Sequence, residues 1–345
     1  MCFNLMGFTK MTKTIAFILV GVILFGCERA FFEDEPEDTY VSNFEVFWSE
    51  FDRNYSFFEL KNIDWDSLYH VYRPLAELAA NDGQFFQVLA KLSLELKDGH
   101  VNVISPYGVS TYDFANGERP VGAENVKPYL YNVKQAGSSI EYAELLRQNV
   151  GYIHIKTFGG DIEDYEKIDD ILEALKKEDG LIVDVRSNGG GSTTKSQTIA
   201  SRFADKERLY LKVKYKNGPG HGDFTDWDER TVSPEGPSQY NKPVVVLTDK
   251  KTFSASEEFV LAMRLFPQVT IVGDTTGGGS GNPILRELPN GWVFRLSSWI
   301  AADPDNNTYE GIGLVPDIPV TMVAQNSLDD TDYALLEALR VLDSQ

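Results

Sequence analysis

Cysteine is almost absent from this 345-residue chain, and its absence excludes several kinds of chemistry. Cys2 and Cys27 are the only two, and both lie near the N-terminus. The rest of the chain therefore has no disulfide, no thiolate metal site and no cysteine nucleophile. No pair of histidines and no carboxylate cluster has the spacing of metal ligands either. We expect a protein without a metal or other cofactor.

Basic side chains are also scarce. The chain has 32 Lys and Arg residues against 52 Asp and Glu residues, a formal net charge of −20. Binding to nucleic acid requires a basic surface that neutralises phosphates. The charge balance therefore argues against a nucleic-acid partner.

Long apolar runs are missing except for Ile15–Phe25, which is too short to cross a bilayer as a helix. Lysines precede this run, as in a secretory signal peptide. It ends in Leu24-Phe25-Gly26-Cys27, which resembles the lipobox of bacterial lipoproteins. We expect residues 1–26 to be a lipoprotein-type signal peptide and Cys27 to be lipid-modified. A plain signal peptide or a short anchor would lead to the same export.

An acidic segment with few apolar residues, 27–40, follows and is expected to act as a tether. Together these features predict an exported protein of the bacterial periplasm or outer membrane, attached to the membrane through its lipid anchor.

Residues 41–98 are predicted to form a small helical subdomain of three helices. The first helix carries aromatic side chains at helical spacing, namely Phe44, Phe47, Trp48 and Phe51. Acidic residues open the second and third helices. Aromatic stripes of this kind are typical of a packed core.

The pattern then changes twice. Residues 99–149 are rich in strand-forming residues but have no clear period, and they are expected to connect the two parts of the protein. From residue 150 to 345, short apolar runs alternate with amphipathic helices. Such alternation predicts an α/β core with mostly parallel strands. Within it we expect a helix over Ile162–Lys177, a polar loop over Asn217–Asn241 and one strand over Trp292–Ala301.

Ser254 lies where a strand is predicted to meet a helix. The apolar run Pro243–Leu247 is typical of a strand buried on both faces, and an amphipathic helix begins at Ala255. The free N–H groups and the dipole of a helix N-terminus favour developing negative charge. A nucleophilic serine and its oxyanion hole require such stabilisation of negative charge. Ser254 and Glu257 also have the spacing of a capping box, which begins many helices with no catalytic role.

A nucleophilic serine needs a base. No lysine follows Lys251 and no histidine follows His221, so the base must come from upstream. His100 follows an Asp-Gly turn that enters a strand, where a side chain can project into a cleft. The other histidines lie in a helix, a strand and a Gly/Pro loop, where structural or exposed roles are typical: His70, His154 and His221.

Two further stretches could contribute to an active site. The run Gly189–Gly191 follows a buried strand, and consecutive glycines there indicate close backbone approach, although a plain tight turn would also fit. Its N–H groups could line an oxyanion or hold a peptide strand. Glu310, before a Gly-x-Gly turn, could orient a histidine as the third member of a triad, or it could be a surface carboxylate.

Six motifs in this order resemble the tail-specific (C-terminal processing) serine peptidases and the related tricorn protease core. They are an Asp-Gly-His turn, a Gly-Tyr-Ile-x-Ile strand, Asp184-Val185-Arg186-Ser187-Asn188-Gly189-Gly190-Gly191, Phe253-Ser254-Ala255-Ser256-Glu257, Val272-Gly273-Asp274-Thr275-Thr276-Gly277, and Glu310 with Pro316-Asp317. The resemblance covers residues 41–325 and implies a crotonase- and ClpP-like β/α superhelical core.

The resemblance also implies roles for individual residues. Ser254 matches the nucleophile, the N–H groups of Ala255 and Gly190 match the oxyanion hole, and Gly189 and Gly191 are expected to contact the substrate.

The base and its partner distinguish two branches of the family. The Ser–Lys branch has a lysine in the glycine-rich turn Gly273–Asn282, and this chain has none there. His100 and Glu310 match the base and the acid of the tricorn branch instead. In that branch a serine precedes the histidine, whereas Gly99 does so here. Residues 101–150 are too few for the peptide-binding PDZ domain that many relatives contain.

These expectations describe a serine endopeptidase that cleaves peptides or unfolded proteins. Two alternatives stay open. A protein with this fold could bind peptides or apolar ligands without cleaving them, as retinoid-binding relatives do, and a hydrogen bond between His100 and Ser254 would favour the enzyme. A Ser–Lys enzyme could use Lys195 or Lys251 instead.

Overall fold

A computed structural model of the chain describes residues 37–115, 123–320 and 331–344. The predicted signal peptide, the lipidation residue Cys27 and the tether up to residue 36 lie outside the described residues. Within the described ranges, no helix combines the length and the apolar character needed to cross a membrane.

The described chain begins with a helical part, as predicted. Its helices are α1 (Tyr40–Asn54), α2 (Trp65–Glu77) and α3 (Asp82–Glu95). A polar side chain accepts an N–H of the first turn in each of them. The aromatic face of α1 is buried against a strand, where the ring centroids of Phe47 and Phe294 are 5.0 Å apart.

The strands form three sheets within the described residues. The largest contains, in spatial order, β14 (Ile318–Pro319), β10 (Val269–Gly273), β9 (Val244–Thr248), β6 (Gly180–Asp184), β5 (Val150–Ile155), β4 (Ile140–Leu145) and β3 (Leu130–Ala136). The strands from β14 to β5 are parallel, and β4 and β3 are antiparallel.

Two smaller sheets flank the site described below. One contains β11 (Pro283–Glu287), β12 (Val293–Ser297), β1 (Asn102–Ser105) and β2 (Gly108–Val109). The other contains β13 (Trp299–Ala302), β7 (Arg208–Tyr215) and β8 (Asp228–Val232).

Among the described residues, helices lie between strands of the large sheet along the chain, and one more follows its last strand. They are α4 (Ile162–Glu166), α5 (Ile168–Ala174), α6 (Thr193–Ala200), α7 (Ala255–Met263) and α8 (Tyr333–Asp343). Every residue of β6 and β9 is buried, which explains their uninterrupted apolar sequences. The predicted α/β class is confirmed: a helical N-terminal part precedes a sheet core.

Three elements differ from the sequence prediction. The expected single strand Trp292–Ala301 is two strands, because β12 pairs with β1 and β11 whereas β13 pairs with β7. The expected helix Ile162–Lys177 is divided into α4 and α5. Inside the expected loop Asn217–Asn241 lies β8, which pairs with β7.

The order of the large sheet brings two loops together. Asp184 near the end of β6 is in register with Leu247 near the end of β9, and the strands are parallel. Loops that follow the carboxyl ends of adjacent parallel strands meet at one edge of a sheet, where ligands of α/β proteins bind.

Candidate active site

The loops after β6 and β9 are bonded to each other. The Phe253 N–H donates to the Asn188 carbonyl at 3.0 Å. The Ser187 N–H donates to the Asp249 carboxylate at 2.9 Å. Two predicted motifs that lie far apart in the sequence are therefore one structural unit.

Ser254 begins α7 in an unusual backbone conformation, with φ 59° and ψ −126°. A non-glycine residue in such a region is strained by about 1–3 kcal/mol and is found mainly at functional sites. A sharp, strained turn from strand to helix also exposes the nucleophilic serine of the α/β-hydrolases. The Ser254 N–H donates to the Glu257 carboxylate at 3.0 Å. The capping-box spacing of these two residues therefore does help to start the helix.

Glu257 links the helix to the glycine-rich turn after β10. Its carboxylate also accepts the Thr276 hydroxyl at 2.5 Å and the N–H groups of Gly278 and Gly279 at 2.8 and 2.7 Å. Burial raises the pKa of Glu257 to about 7, and these donors oppose the shift. The conformation of Ser254 is therefore held by a buried and fully bonded side chain.

His100 contacts the serine directly. Its Nε2 lies 3.0 Å from Oγ of Ser254, and its ring packs on Phe253 with centroids 4.7 Å apart. Burial lowers the pKa of His100 to about 4, Asp98 opposes this, and Arg295 and Lys61 add to it. A neutral imidazole at neutral pH can accept a proton from the hydroxyl.

Asp98 is the acid next to this histidine in the described structure. Its Oδ1 accepts the backbone N–H of His100 at 2.8 Å, and its Oδ2 accepts the hydroxyls of Ser297 and Tyr55 at 2.8 and 3.2 Å. The buried Nδ1 of His100 has no hydrogen-bond partner among the described residues.

Glu310 is placed differently from the prediction. Its Oε2 accepts the N–H and the hydroxyl of Ser280 at 2.8 and 3.0 Å, and its Oε1 forms an ion pair with Lys61 Nζ at 2.8 Å. Burial and the nearby Asp98 raise the pKa of Glu310 to about 7, while Lys61 lowers it. Glu310, predicted to orient His100, is thus held by Ser280 and Lys61 and makes no hydrogen bond to the histidine in the described structure.

Gly99 leaves room for aromatic rings beside the histidine. A Cβ at this position would lie 2.8 Å from Cζ of Phe253 and 2.9 Å from Cδ1 of Phe114. Those two rings stack with centroids 4.4 Å apart. The packing therefore explains why the serine of the tricorn pattern is replaced by glycine here.

The glycine run lies against the serine, but one predicted donor is already used. The Gly190 N–H donates to Asn188 Oδ1 at 2.9 Å, which corrects the prediction that this N–H binds an oxyanion. Gly190 has φ 92°, and a Cβ there would lie 2.7 Å from Cβ of Ser254. The N–H groups of Ala255, Gly189 and Gly191 make no hydrogen bond within the described part of the chain.

A cavity of about 520 Å³ is lined by Ser254, His100 and the whole run Gly189–Gly191. It has two charged lining side chains, Glu258 and Arg295. A concave site with a few polar groups is typical of substrate binding. Ser254, His100, Ala255 and the glycines thus line one cavity. Glu310 and Lys61 line a second cavity of about 610 Å³, which shares Gly99, Phe114 and Phe253 with the first.

The alternative bases lie elsewhere. His221 Nε2 is 2.9 Å from Asp52, His70 is exposed, and Lys251 is exposed. Lys195 donates to the Gly160 carbonyl and lies over the Tyr165 ring. In the described ranges, no cluster of three or more His, Cys, Asp or Glu side chains could hold a metal ion.

Sequence reasoning missed several residues of the site, namely Lys61, Asp98, Asn188, Glu258 and Arg295. Asp98 was noted only as part of a turn. The polar character of Asn188 after a buried strand was the one signal available for its role.

Two parts of the chain match models of known protein families. Residues 149–320 match the family model of peptidase family S41, and residues 36–93 match that of the tricorn protease C1 domain. A putative peptidase from Parabacteroides merdae is similar in structure, with 36% identity and a TM-score of 0.80 over 90% of this chain and 99% of that chain.

Two further relatives agree with this result. The carboxy-terminal processing protease CtpA of Bacillus subtilis is 29% identical over 47% of this chain but only 33% of its own length. The chain thus spans about a third of that curated relative. The tricorn protease shares the fold, with 16% identity and a TM-score of 0.61 over 89% of this chain and 37% of that chain.

Proposed function

The chain belongs to peptidase family S41, and from this premise we propose that it is a serine endopeptidase that cleaves peptides or unfolded proteins with Ser254 as nucleophile. The observation that carries the proposal is the 3.0 Å distance between His100 Nε2 and Ser254 Oγ inside a cavity that can hold a peptide. A serine with an adjacent base is the basis of nucleophilic acyl transfer.

In the proposed mechanism, His100 takes the Ser254 proton while Oγ attacks the scissile carbonyl. The free N–H of Ala255, together with those of Gly189 and Gly191, binds the oxyanion that forms. The imidazolium then gives its proton to the leaving amine, and water hydrolyses the acyl-enzyme with His100 again acting as base.

Two acids act through their neighbours rather than on the substrate. Asp98 accepts the backbone N–H of His100, and its charge favours the imidazolium that forms during the reaction. Glu310 is a positioning residue that holds Lys61 and Ser280, and Ser280 lines the cavity.

The non-catalytic alternative is a binding protein with a closed apolar cavity and a separated histidine and serine. The short distance between these two side chains and the polar groups that line the cavity support the enzyme instead.

Location at a membrane is a separate part of the proposal. We expect export, removal of residues 1–26 and attachment of lipid to Cys27. Intact mass of the protein extracted from a bacterial host should show the added acyl groups, and the mass of Cys27→Ser should lack them. An unmodified Cys27 in the wild-type chain would exclude the anchor.

The catalytic proposal is tested with a fluorophosphonate probe and intact-mass detection on the purified protein. We expect a single adduct that maps to Ser254 and that His100→Ala greatly slows. A folded, monodisperse protein that gives no adduct would overturn the proposal.

A further inference from the structure

Glu258 is a buried acid in the wall of the active-site cavity. It lies in the first turn of α7, four residues after Ser254, and its side chain is 7% exposed. Residues four apart are neighbours on one helix face, with about 5–6 Å between their Cβ atoms. The carboxyl group therefore lies one helical turn from the nucleophile and lines the same cavity.

One oxygen of this carboxyl group has no partner. Oε1 accepts the hydroxyl of Thr193 at 3.1 Å, whereas the buried Oε2 makes no hydrogen bond with the described residues. The adjacent Glu257, by contrast, accepts four hydrogen bonds. Leaving a buried acceptor unsatisfied is unfavourable, by about 1–3 kcal/mol and more for a charged group. A donor from the substrate would remove this cost.

Arg230 is the cation that lowers the pKa of Glu258, but its own hydrogen bond and ion pair are with other residues. Arg230 donates to the Tyr215 hydroxyl at 2.5 Å, lies 3.5 Å from Asp228 and packs over the Trp299 ring. It lowers the pKa of Glu258 but makes no hydrogen bond to it.

Arg295 is the second charged side chain that lines the cavity. Arg295 influences the pKa of His100, and Asp98 influences that of Arg295. Neither Arg295 nor His100 is among the groups that shift the pKa of Glu258. Glu258 is thus the acidic side chain of the cavity lining, and Arg295 is the basic one.

We propose that Glu258 forms the base of the pocket for the P1 residue, whose carbonyl is attacked, and that it selects lysine or arginine there. This inference rests on the proposed function. The P1 side chain leaves the carbon next to the attacked carbonyl, so it starts close to Ser254 and the Ala255 N–H. A long basic side chain spans one helical turn, and its apolar stem can pack along Trp299, which also lines the cavity.

The protonation state of Glu258 gives the preference a pH dependence. Burial raises the pKa of Glu258 to about 7. The titratable groups that act on it or respond to it are Glu257 on the same helix, Arg230 on β8, and the phenols of Tyr210 and Tyr309. Because the ionised form binds a cation, the preference for a basic residue should strengthen as the pH rises through the pKa and weaken below it.

Cleavage-site mapping is the first test. The full chain is incubated with reduced, carboxymethylated α-lactalbumin, and the products are identified by mass spectrometry. We expect lysine or arginine on the acyl side of most cleaved bonds. A majority of cleavages after apolar, small or acidic residues would overturn the inference, while labelling of Ser254 by the fluorophosphonate would still support the proposed function.

Kinetics on a matched pair of peptides measure the contribution of the Glu258 carboxylate to the P1 preference. The two peptides reproduce one mapped site and differ only in lysine or norleucine at P1. The wild type should favour lysine in kcat/KM by at least about tenfold, the range expected for a buried charge pair. Glu258→Gln should reduce this ratio to about one, through a loss of kcat/KM for the lysine peptide measured per fluorophosphonate-titrated site. An unchanged ratio in Glu258→Gln would contradict the assignment.

Glu229→Gln is the matched control. It removes the same charge from an exposed position of β8, next to Arg230, and should leave the lysine-to-norleucine ratio unchanged. A loss of preference in this control equal to that in Glu258→Gln would show that net charge, not the pocket, sets the preference. The absence of any Ser254 labelling would overturn the proposed function on which this inference rests.

Discussion

Nε2 of His100 lies 3.0 Å from Oγ of Ser254 although 154 residues separate them in the chain. The turn before β1, in the small sheet next to the N-terminal helices, positions the histidine. The loop after β9 of the large parallel sheet positions the serine. The site therefore exists only where these two parts of the protein meet.

The pH profile should reveal the buried state of His100. Its neutral form is the active one, so activity is lost as the pH falls through its pKa. Since burial lowers this pKa to about 4, kcat/KM should have an acid limb well below that of free histidine, which is about 6.5. A substrate with norleucine at P1 keeps the titration of Glu258 out of the profile.

Substitution of Arg295 tests whether nearby positive charge lowers the pKa of His100. Its positive charge disfavours protonation of His100, so Arg295→Gln should move the acid limb to higher pH. Arg286→Gln, on the adjacent strand β11 and paired with Glu50, is the control and should leave the limb in place. An acid limb that stays put in Arg295→Gln would contradict the electrostatic argument.

Restoring the serine of the tricorn pattern should be harmful here. In Gly99→Ser the new Cβ would overlap with Phe253 and Phe114, at 2.8 and 2.9 Å. Overpacking of this kind typically costs about 1–3 kcal/mol. Urea unfolding should show this loss of stability, and kcat/KM should fall because His100 follows directly in the chain.

Gly83→Ala is a suitable control for that change, because a Cβ there meets its nearest atoms at 3.4 Å or more. Its unfolding midpoint should not decrease. If Gly99→Ser were as stable and as active as the wild type, the packing explanation for the glycine would be wrong.

The ion pair between Lys61 and Glu310 should stabilise the fold. The side chains are 14% and 1% exposed and their charged atoms are 2.8 Å apart. At a pH well above the raised pKa of Glu310, Lys61→Met leaves the Glu310 charge buried and unpaired, which typically costs about 3–5 kcal/mol. Urea unfolding of the double variant Lys61→Met with Glu310→Gln should show a smaller loss than Lys61→Met alone.

The exposed pair of Lys127 and Glu124 serves as the comparison for this experiment. Lys127→Met should unfold at the same urea concentration as the wild type, because exposed ion pairs contribute little. Equal stability of Lys61→Met and Lys127→Met would refute a structural role for the buried pair.

Local sequence signals predicted the parts of the site that local structure determines. The junction at Ser254 follows from a buried strand before an amphipathic helix, and the meeting of the two loops follows from parallel strands. Gly189–Gly191 could be recognised because three glycines in a row are unfavourable without a structural reason.

Long-range contacts explain what the sequence did not reveal. Glu310 was paired with His100, but its partner is Lys61, which comes from the segment between α1 and α2 and carried no motif of its own. The Gly190 N–H, predicted to bind the oxyanion, donates to the Asn188 side chain instead, a contact that no local pattern indicated. The division between β12 and β13 depends on which sheets they join, and neither partner is near them in sequence.

The roles of Ser254 as nucleophile and His100 as base are tested most directly by comparing cleavage of an unfolded protein by the wild type, Ser254→Ala and His100→Ala. An unfolding curve first shows that each of the three proteins is folded. We predict that the wild type cleaves reduced, carboxymethylated α-lactalbumin and that both variants lose at least about a thousandfold in kcat/KM. Cleavage by Ser254→Ala at the wild-type rate would contradict the central claim that this serine is the nucleophile.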